Sequence, residues 1–176
     1  MEASLQRTPL YHRHVAAGAR LVPFAGWEMP VQYEGVIPEH LAVRERVGVF
    51  DVSHMGQLHV EGPNATELLQ ATLSNDLERV GDGEAQYTLL TNERGGIVDD
   101  LIAYRLGSHH FLLVVNAGNK DAAFAWLKER EIRGSEVRDA SDEYALLAVQ
   151  GPVAIEALGL PDAPAFTHAM GEVDGV

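Results

Sequence analysis

The chain of 176 residues carries 26 acidic and 13 basic side chains, a net charge of −13, and no cysteine. Nucleic-acid surfaces and anionic membranes need clustered Lys and Arg, so both are excluded as expected partners. The lack of cysteine removes disulfides, thiolate metal sites, iron–sulfur ligation and cysteine nucleophiles.

The first segment, MEASLQRTPLYHRHVAAGAR, has no charged start followed by an apolar core, so it does not read as a secretory signal. No run of 18 apolar residues occurs, and a cytoplasmic location is expected. If extended, this segment would put His12 and His14 on one strand face. Residues 21–33 (LVPFAGWEMPVQY) read as a loop or irregular strand, with Pro23, Gly26 and Pro30 among Phe24, Trp27 and Tyr33. Residues 38–47 read as a helix, since Pro38 suits a first turn and Glu39 favours the positive helix end. Residues 49–60 read as one strand with Gly56 as a bulge. Residues 87–105 (YTLLTNERGGIVDDLIAYR) predict two strands around a turn at Asn92–Gly96. Further strands are expected at 111–116, 136–139 and 144–150, and an amphipathic helix at 121–131.

Leu58–Leu69 (LHVEGPNATELL) and Leu147–Leu158 (LAVQGPVAIEAL) match at 7 of 12 positions, at an offset of 89. Each reads as strand, Gly-Pro turn and helix. The pattern predicts an α+β fold of antiparallel sheets with flanking helices and an internal strand–turn–helix duplication. Residues 1–140 are assigned to a first part. Residues 141–176 are assigned to the start of a second repeat, incomplete at its C-terminal side.

Asp99 and Asp100 carry the main chemical signal. Aspartate is depleted from strand interiors, and a buried carboxylate is costly unless paired. Alternation puts Asp100 with Val98, Ile102 and Tyr104, and Asp99 with Ile97, Leu101 and Ala103. Both faces are apolar, so at least one carboxylate must meet a partner or a ligand. Either could bond a nearby turn or handle a proton on a ligand. Met55, Tyr87, Val114 and Asn116 form a candidate wall for a flat heterocycle, where Met and Tyr pack and Asn offers both donor and acceptor. His54 is expected to fix its loop by hydrogen bonds. No His-Glu-x-x-His, P-loop, dinucleotide or Gly-x-Ser-x-Gly motif occurs, and no metal site is expected from the histidine spacing.

LVPFAGWEMPVQY, FDVSHMG and YTLLTNERGGIVDDL, with Thr8-Pro9-Leu10-Tyr11 ahead of them, resemble the aminomethyltransferase (T-protein) family of the glycine cleavage system. The resemblance covers essentially the whole chain. It implies an enzyme that takes the methylene of an aminomethyl group carried on the lipoyl arm of the H-protein. The acceptor is tetrahydrofolate, and ammonia is released. Residue by residue, Asp100 matches the acidic group beside the folate's reacting nitrogens. Met55, Tyr87, Val114 and Asn116 match the folate pocket. The family's later Gly-Tyr-Thr-Gly-Glu motif has no counterpart before Val176, so the chain reads as an N-terminal half, expected to be inactive alone. The alternative within the same superfamily is a folate-binding module without transferase activity.

Overall fold

The computed structural model describes residues 4–171. Its elements run α1 (Tyr11–Ala16), β1 (Arg20–Phe24), β2 (Trp27–Gln32), α2 (Val36–Glu45), β3 (Gly48–Asp51), β4 (Gly56–Glu61), α3 (Ala65–Thr72), β5 (Ala85–Thr91), β6 (Ile97–Gly107), β7 (His110–Val115), α4 (Lys120–Glu129), β8 (Glu136–Asp139), β9 (Leu147–Gln150) and α5 (Ala154–Leu158). All paired strands run antiparallel, which is the α+β architecture expected. The end of the predicted second repeat, 172–176, lies outside the described residues. No described helix is long and apolar enough to cross a membrane.

The described residues form two compact units. One draws on the chain up to His54 and on Ala145–Asp162; the other on Met55–Tyr144 and the residues from Ala163 onward.

In the first unit, residues 21–33 take the strand alternative rather than the loop, with one register irregularity at Arg20/Leu21. They form the β1–β2 hairpin, with Phe24 opposite Trp27. The turn between them is Ala25-Gly26, both at positive φ (47° and 85°), which matches the twist of a two-residue hairpin. Pro23 and Pro30 were the signals for irregularity, yet a two-stranded sheet consists of edges and tolerates them. Phe24 and Tyr33 are exposed, though Tyr33 Oη lies 2.8 Å from His14 Nδ1. Gln6 also holds the segment, accepting from Glu28 N–H and donating to the Gly26 carbonyl, both at 2.9 Å. Residues 11–16 are a helix, so His12 and His14 do not share a strand face. The predicted strand 49–60 is two strands, β3 and β4, broken at Ser53-His54-Met55. The break is built by Asp51, whose Oδ1 accepts from the Ser53 N–H at 2.9 Å, an Asx turn that hydrophobic patterning does not reveal.

The second unit holds a five-stranded sheet in the order β5-β6-β7-β4-β8. One face carries Leu58, Val60, Leu90, Leu101, Ala103, Phe111, Leu113, Val115 and Val137, all buried in one core cluster with Leu68 and Leu69 of α3 and Ala123 and Leu127 of α4. Helix α3 buries Ala65, Leu68, Leu69 and Thr72, the i, i+3, i+4, i+7 stripe of an amphipathic helix. Gly56 is no bulge, because it pairs in register with Val115. It is glycine because a Cβ there would lie 2.7 Å from Val115 Cγ2 and 2.6 Å from Lys120 Cγ.

The duplication is visible in the backbone. Gly62 and Gly151 both take positive φ (107° and 137°), a region that favours glycine. A Cβ would strike the Gly134 carbonyl oxygen at 2.4 Å in the first copy and that of Arg46 at 2.3 Å in the second. Those same carbonyls accept the N–H of Asn64 and of Val153. The order α2-β3-β4-α3 therefore recurs as α4-β8-β9-α5. The two copies exchange partners: β3 pairs with β9, and β4 with β8. Among the described residues β9 pairs with β3 alone, in a two-stranded sheet.

Candidate functional site

Strand register decides which aspartate belongs to the core. Asp99 shares a face with Leu101 and Ala103, under α3 and α4, and is 1 % exposed. Its burial is compensated without a cation. Oδ2 accepts from the Asn116 backbone N–H at 2.9 Å, and Oδ1 accepts from Asn116 Nδ2 at 2.9 Å and Asn119 Nδ2 at 2.7 Å. This carboxylate ties the end of β7 and the start of α4 to β6.

Asp100 points to the opposite face and is exposed. Its Oδ2 accepts from the Tyr87 hydroxyl at 2.7 Å, and its Oδ1 from Asn116 Nδ2 at 3.1 Å. Asn116 Nδ2 also reaches the Asp100 backbone carbonyl at 2.9 Å. An ionised carboxylate has about four acceptor sites, so each oxygen keeps capacity toward solvent. The Tyr87 phenol is pushed above its ordinary pKa, first by its hydrogen bond to Asp100, then by desolvation and by the charges of Asp100 and Asp99. It therefore stays protonated and donating at neutral pH. Tyr87 pairs with Ile102, and Ile102 with Val114, so two half-buried aliphatic side chains lie beside the carboxylate on one face. Four of the predicted site residues, Tyr87, Asp100, Val114 and Asn116, thus converge across β5, β6 and the end of β7. Met55 stands half-buried in the turn directly before β4, where Gly56 pairs with Val115.

Two residues of this region were not foreseen. Asn119 holds Asp99, though nothing in its local pattern signals a loop asparagine aimed at a strand. Gln57 lies opposite Val114 in the sheet. It is 1 % exposed, yet neither its Oε1 nor its Nε2 has a partner among the described residues. An unpaired buried amide is costly and offers a donor and an acceptor to whatever covers it. The sequence signal was a glutamine at a strand position between Gly56 and Leu58.

His54 does not fix its loop as expected. Its Nδ1 is buried without a partner among the described residues, its ring meets Phe24 edge-on at 5.7 Å, and burial lowers its pKa against the opposing pull of Asp51. Ser53 holds the loop instead, bonding both the N–H and the carbonyl of Leu146. In the first unit a cleft of about 520 Å³ is lined by Val31, Tyr33, Val36, Val49, Phe50 and Asp51 among others. No predicted site residue lines it. Asp51 there is engaged by Thr8, His14 and Ser53.

The Asp100 face thus presents an exposed carboxylate held by a phenol and an amide beside partly apolar strand positions. Residues 10–162 match the family model described as the GCVT N-terminal domain, and the chain belongs to that family. It is 46% identical over 178 residues to the aminomethyltransferase of Desulforamulus reducens, covering 98% of this chain and 49% of that protein. It is 51% identical over 162 residues to the aminomethyltransferase of Symbiobacterium thermophilum, covering 90% and 43%. The crystal structure of the glycine cleavage system aminomethyltransferase T from Bartonella henselae superposes with a TM-score of 0.84 at 46% identity, over 90% of this chain and 45% of that one. The heterotetrameric sarcosine oxidase of Corynebacterium sp. U-96, at 19% identity and a TM-score of 0.55, shares the fold. The chain spans about half the length of the curated relatives it matches.

Proposed function

We propose that this chain is the folate-side portion of a cytoplasmic aminomethyltransferase of the glycine cleavage system. It would pass the methylene of the aminomethyl-lipoyl H-protein to tetrahydrofolate with release of ammonia. The observation that carries the reading is Asp100. It is an exposed aspartate within a strand, with each oxygen held by one donor and each retaining capacity for another.

Tetrahydrofolate, when bound, supplies the nitrogen nucleophiles that accept the one-carbon unit. The side chains on this face suit it: a carboxylate for N–H groups, Tyr87 and Val114 for a flat ring, and the Asn116 Oδ1 as a further acceptor. With the folate bound, Asp100 would accept a hydrogen bond from a ligand N–H at Oδ1 or Oδ2 and would hold the proton released there. Tyr87 and Asn116 fix the two oxygens, so the acceptor is oriented before the ligand arrives. Asp99 does not handle protons in this scheme; it positions Asn116 through two hydrogen bonds and Asn119 through a third. Met55, in the turn before β4, would pack against the ligand beside Asn116. Identities near one half with named aminomethyltransferases favour the transferase over a binding module without activity.

The test is turnover in a protein of the relatives' full length that carries this chain, with aminomethyl-lipoyl H-protein and tetrahydrofolate as substrates. Asp100→Asn lowers turnover on the order of 10²-fold or more. A near-wild-type rate removes the proton-transfer role, and failure of the unsubstituted protein to make methylene-tetrahydrofolate overturns the reading.

A further inference from the structure

The same sheet face carries a second cluster at its other end. His59 and Glu61 stand two residues apart on β4 and share a face, and His110 of β7 pairs directly with Glu61. His59 Nδ1 lies 2.6 Å from His110 Nε2, and Glu61 Oε1 lies 3.2 Å from His110 Nε2 and 3.7 Å from His59 Nδ1. These separations bracket the edge of a tetrahedron with ligands at about 2.0–2.1 Å from a central ion, roughly 3.3 Å. We propose that His59, Glu61 and His110 form a binding site for one divalent transition-metal ion of the Zn2+ class.

Four further observations agree. The outer nitrogen of His59 is engaged: Nε2 lies 2.8 Å from the Tyr144 hydroxyl. Donation there leaves the Nδ1 lone pair aimed at the cluster, the usual way a ligating histidine is oriented. His59 is 4 % exposed, so its ring is held in place by the packing around it. Arg138, opposite His59 on β8, is ion-paired to Glu143, so the nearby cation is offset. The side chains of His110 and Glu61 are 40% and 45% exposed, which leaves an entry path and room for a water as fourth ligand. Two imidazoles and one carboxylate, with no sulfur, suit Zn2+, Ni2+ or Cu2+ and not Mg2+ or Ca2+. The site differs from the expectation of no metal because that expectation rested on helical spacing. A strand His-x-Glu becomes a ligand set only when the cross-strand residue is known.

The test uses tag-free protein, equilibrium dialysis against Zn2+, and Co2+ absorption as a report of coordination. The expected result is one ion per chain and a tetrahedral or five-coordinate Co2+ spectrum. His110→Ala or Glu61→Gln, both at partly exposed positions, weakens binding at least about 10-fold while circular dichroism stays unchanged. Tyr144→Phe weakens it by about 10-fold. His109→Ala, next to the site but outside it, binds as wild type. No stoichiometric uptake overturns the proposal. So does binding that survives His110→Ala, or that is lost on His109→Ala.

Discussion

Asp99→Asn and Asp100→Asn change adjacent residues by the same atom, and the structure separates their effects. Asp99 accepts three hydrogen bonds while 1 % exposed. An amide can replace only one oxygen and must then set N–H against N–H. If Oδ2 is replaced, the bond from the Asn116 backbone is lost; if Oδ1, those from Asn116 and Asn119 are lost. Hydrogen bonds to a charged group contribute about 1.5–3 kcal/mol each. Partial relaxation of the Asn116–Asn119 loop puts the expected cost near 3 kcal/mol. For a chain of this length, each kcal/mol moves the midpoint by about 2–4 °C, so Tm falls roughly 6–12 °C. Asp100 is exposed, and Asn116 Nδ2 keeps Asp99 Oδ1 and the Asp100 carbonyl as acceptors. Asp100→Asn should therefore shift stability by no more than about 0.5 kcal/mol. Urea and thermal unfolding of both variants, followed by Trp27 and Trp126 fluorescence, make the comparison. A silent Asp99→Asn, or a costlier Asp100→Asn, refutes the division into a structural and a functional carboxylate.

Other substitutions probe separate links. Gly62→Ala and Gly151→Ala each force a Cβ onto a carbonyl oxygen at positive φ and should each cost about 1–3 kcal/mol or more in denaturant unfolding; tolerance of either would contradict the paired turns. Gln57→Met replaces an unpaired buried amide and should raise stability by about 1 kcal/mol, readable by calorimetry; lower stability would show that the amide has a partner. Burial alone would raise the Asp51 pKa, but hydrogen bonds from His14, Ser53 and Thr8 outweigh it and hold the group below its ordinary value. Its contribution to stability is therefore present above the unfolded-state pKa of about 3.9 and is lost as pH falls through the lower folded value. Asp51→Asn should be less stable at neutral pH and should flatten the loss of stability below about pH 4, measured by urea midpoints across pH; an unchanged acid slope would contradict this.

The parts legible in the sequence are those set by short-range pattern. Period-two alternation placed Asp99 and Asp100 on opposite faces, and the Gly-Pro repeat located the duplicated turns. Alternation could not say which face is the core, because Val98 and Ile102 are as apolar as Ile97 and Leu101. Burial under α3 and α4 decides that. Residues 49–60 read as one strand because apolar residues continue on both sides of Ser53-His54-Met55, while the break comes from a side chain bonding its own backbone. Asn119, Gln57 and the His59–Glu61–His110 cluster needed strand register. Their meaning lies in what stands opposite, and the chain does not print that.

The central claim is that the Asp100 face of the sheet binds folate, and amide chemical-shift mapping of 15N-labelled protein during tetrahydrofolate titration tests it most directly. The account predicts saturable shifts concentrated at Tyr87, Asp100, Val114 and Asn116, with Gln57 and Met55 beside them, and their loss on Asp100→Asn or Val114→Asp. Shifts confined to the cleft around Tyr33, Val49 and Phe50, or no saturable response, would contradict it.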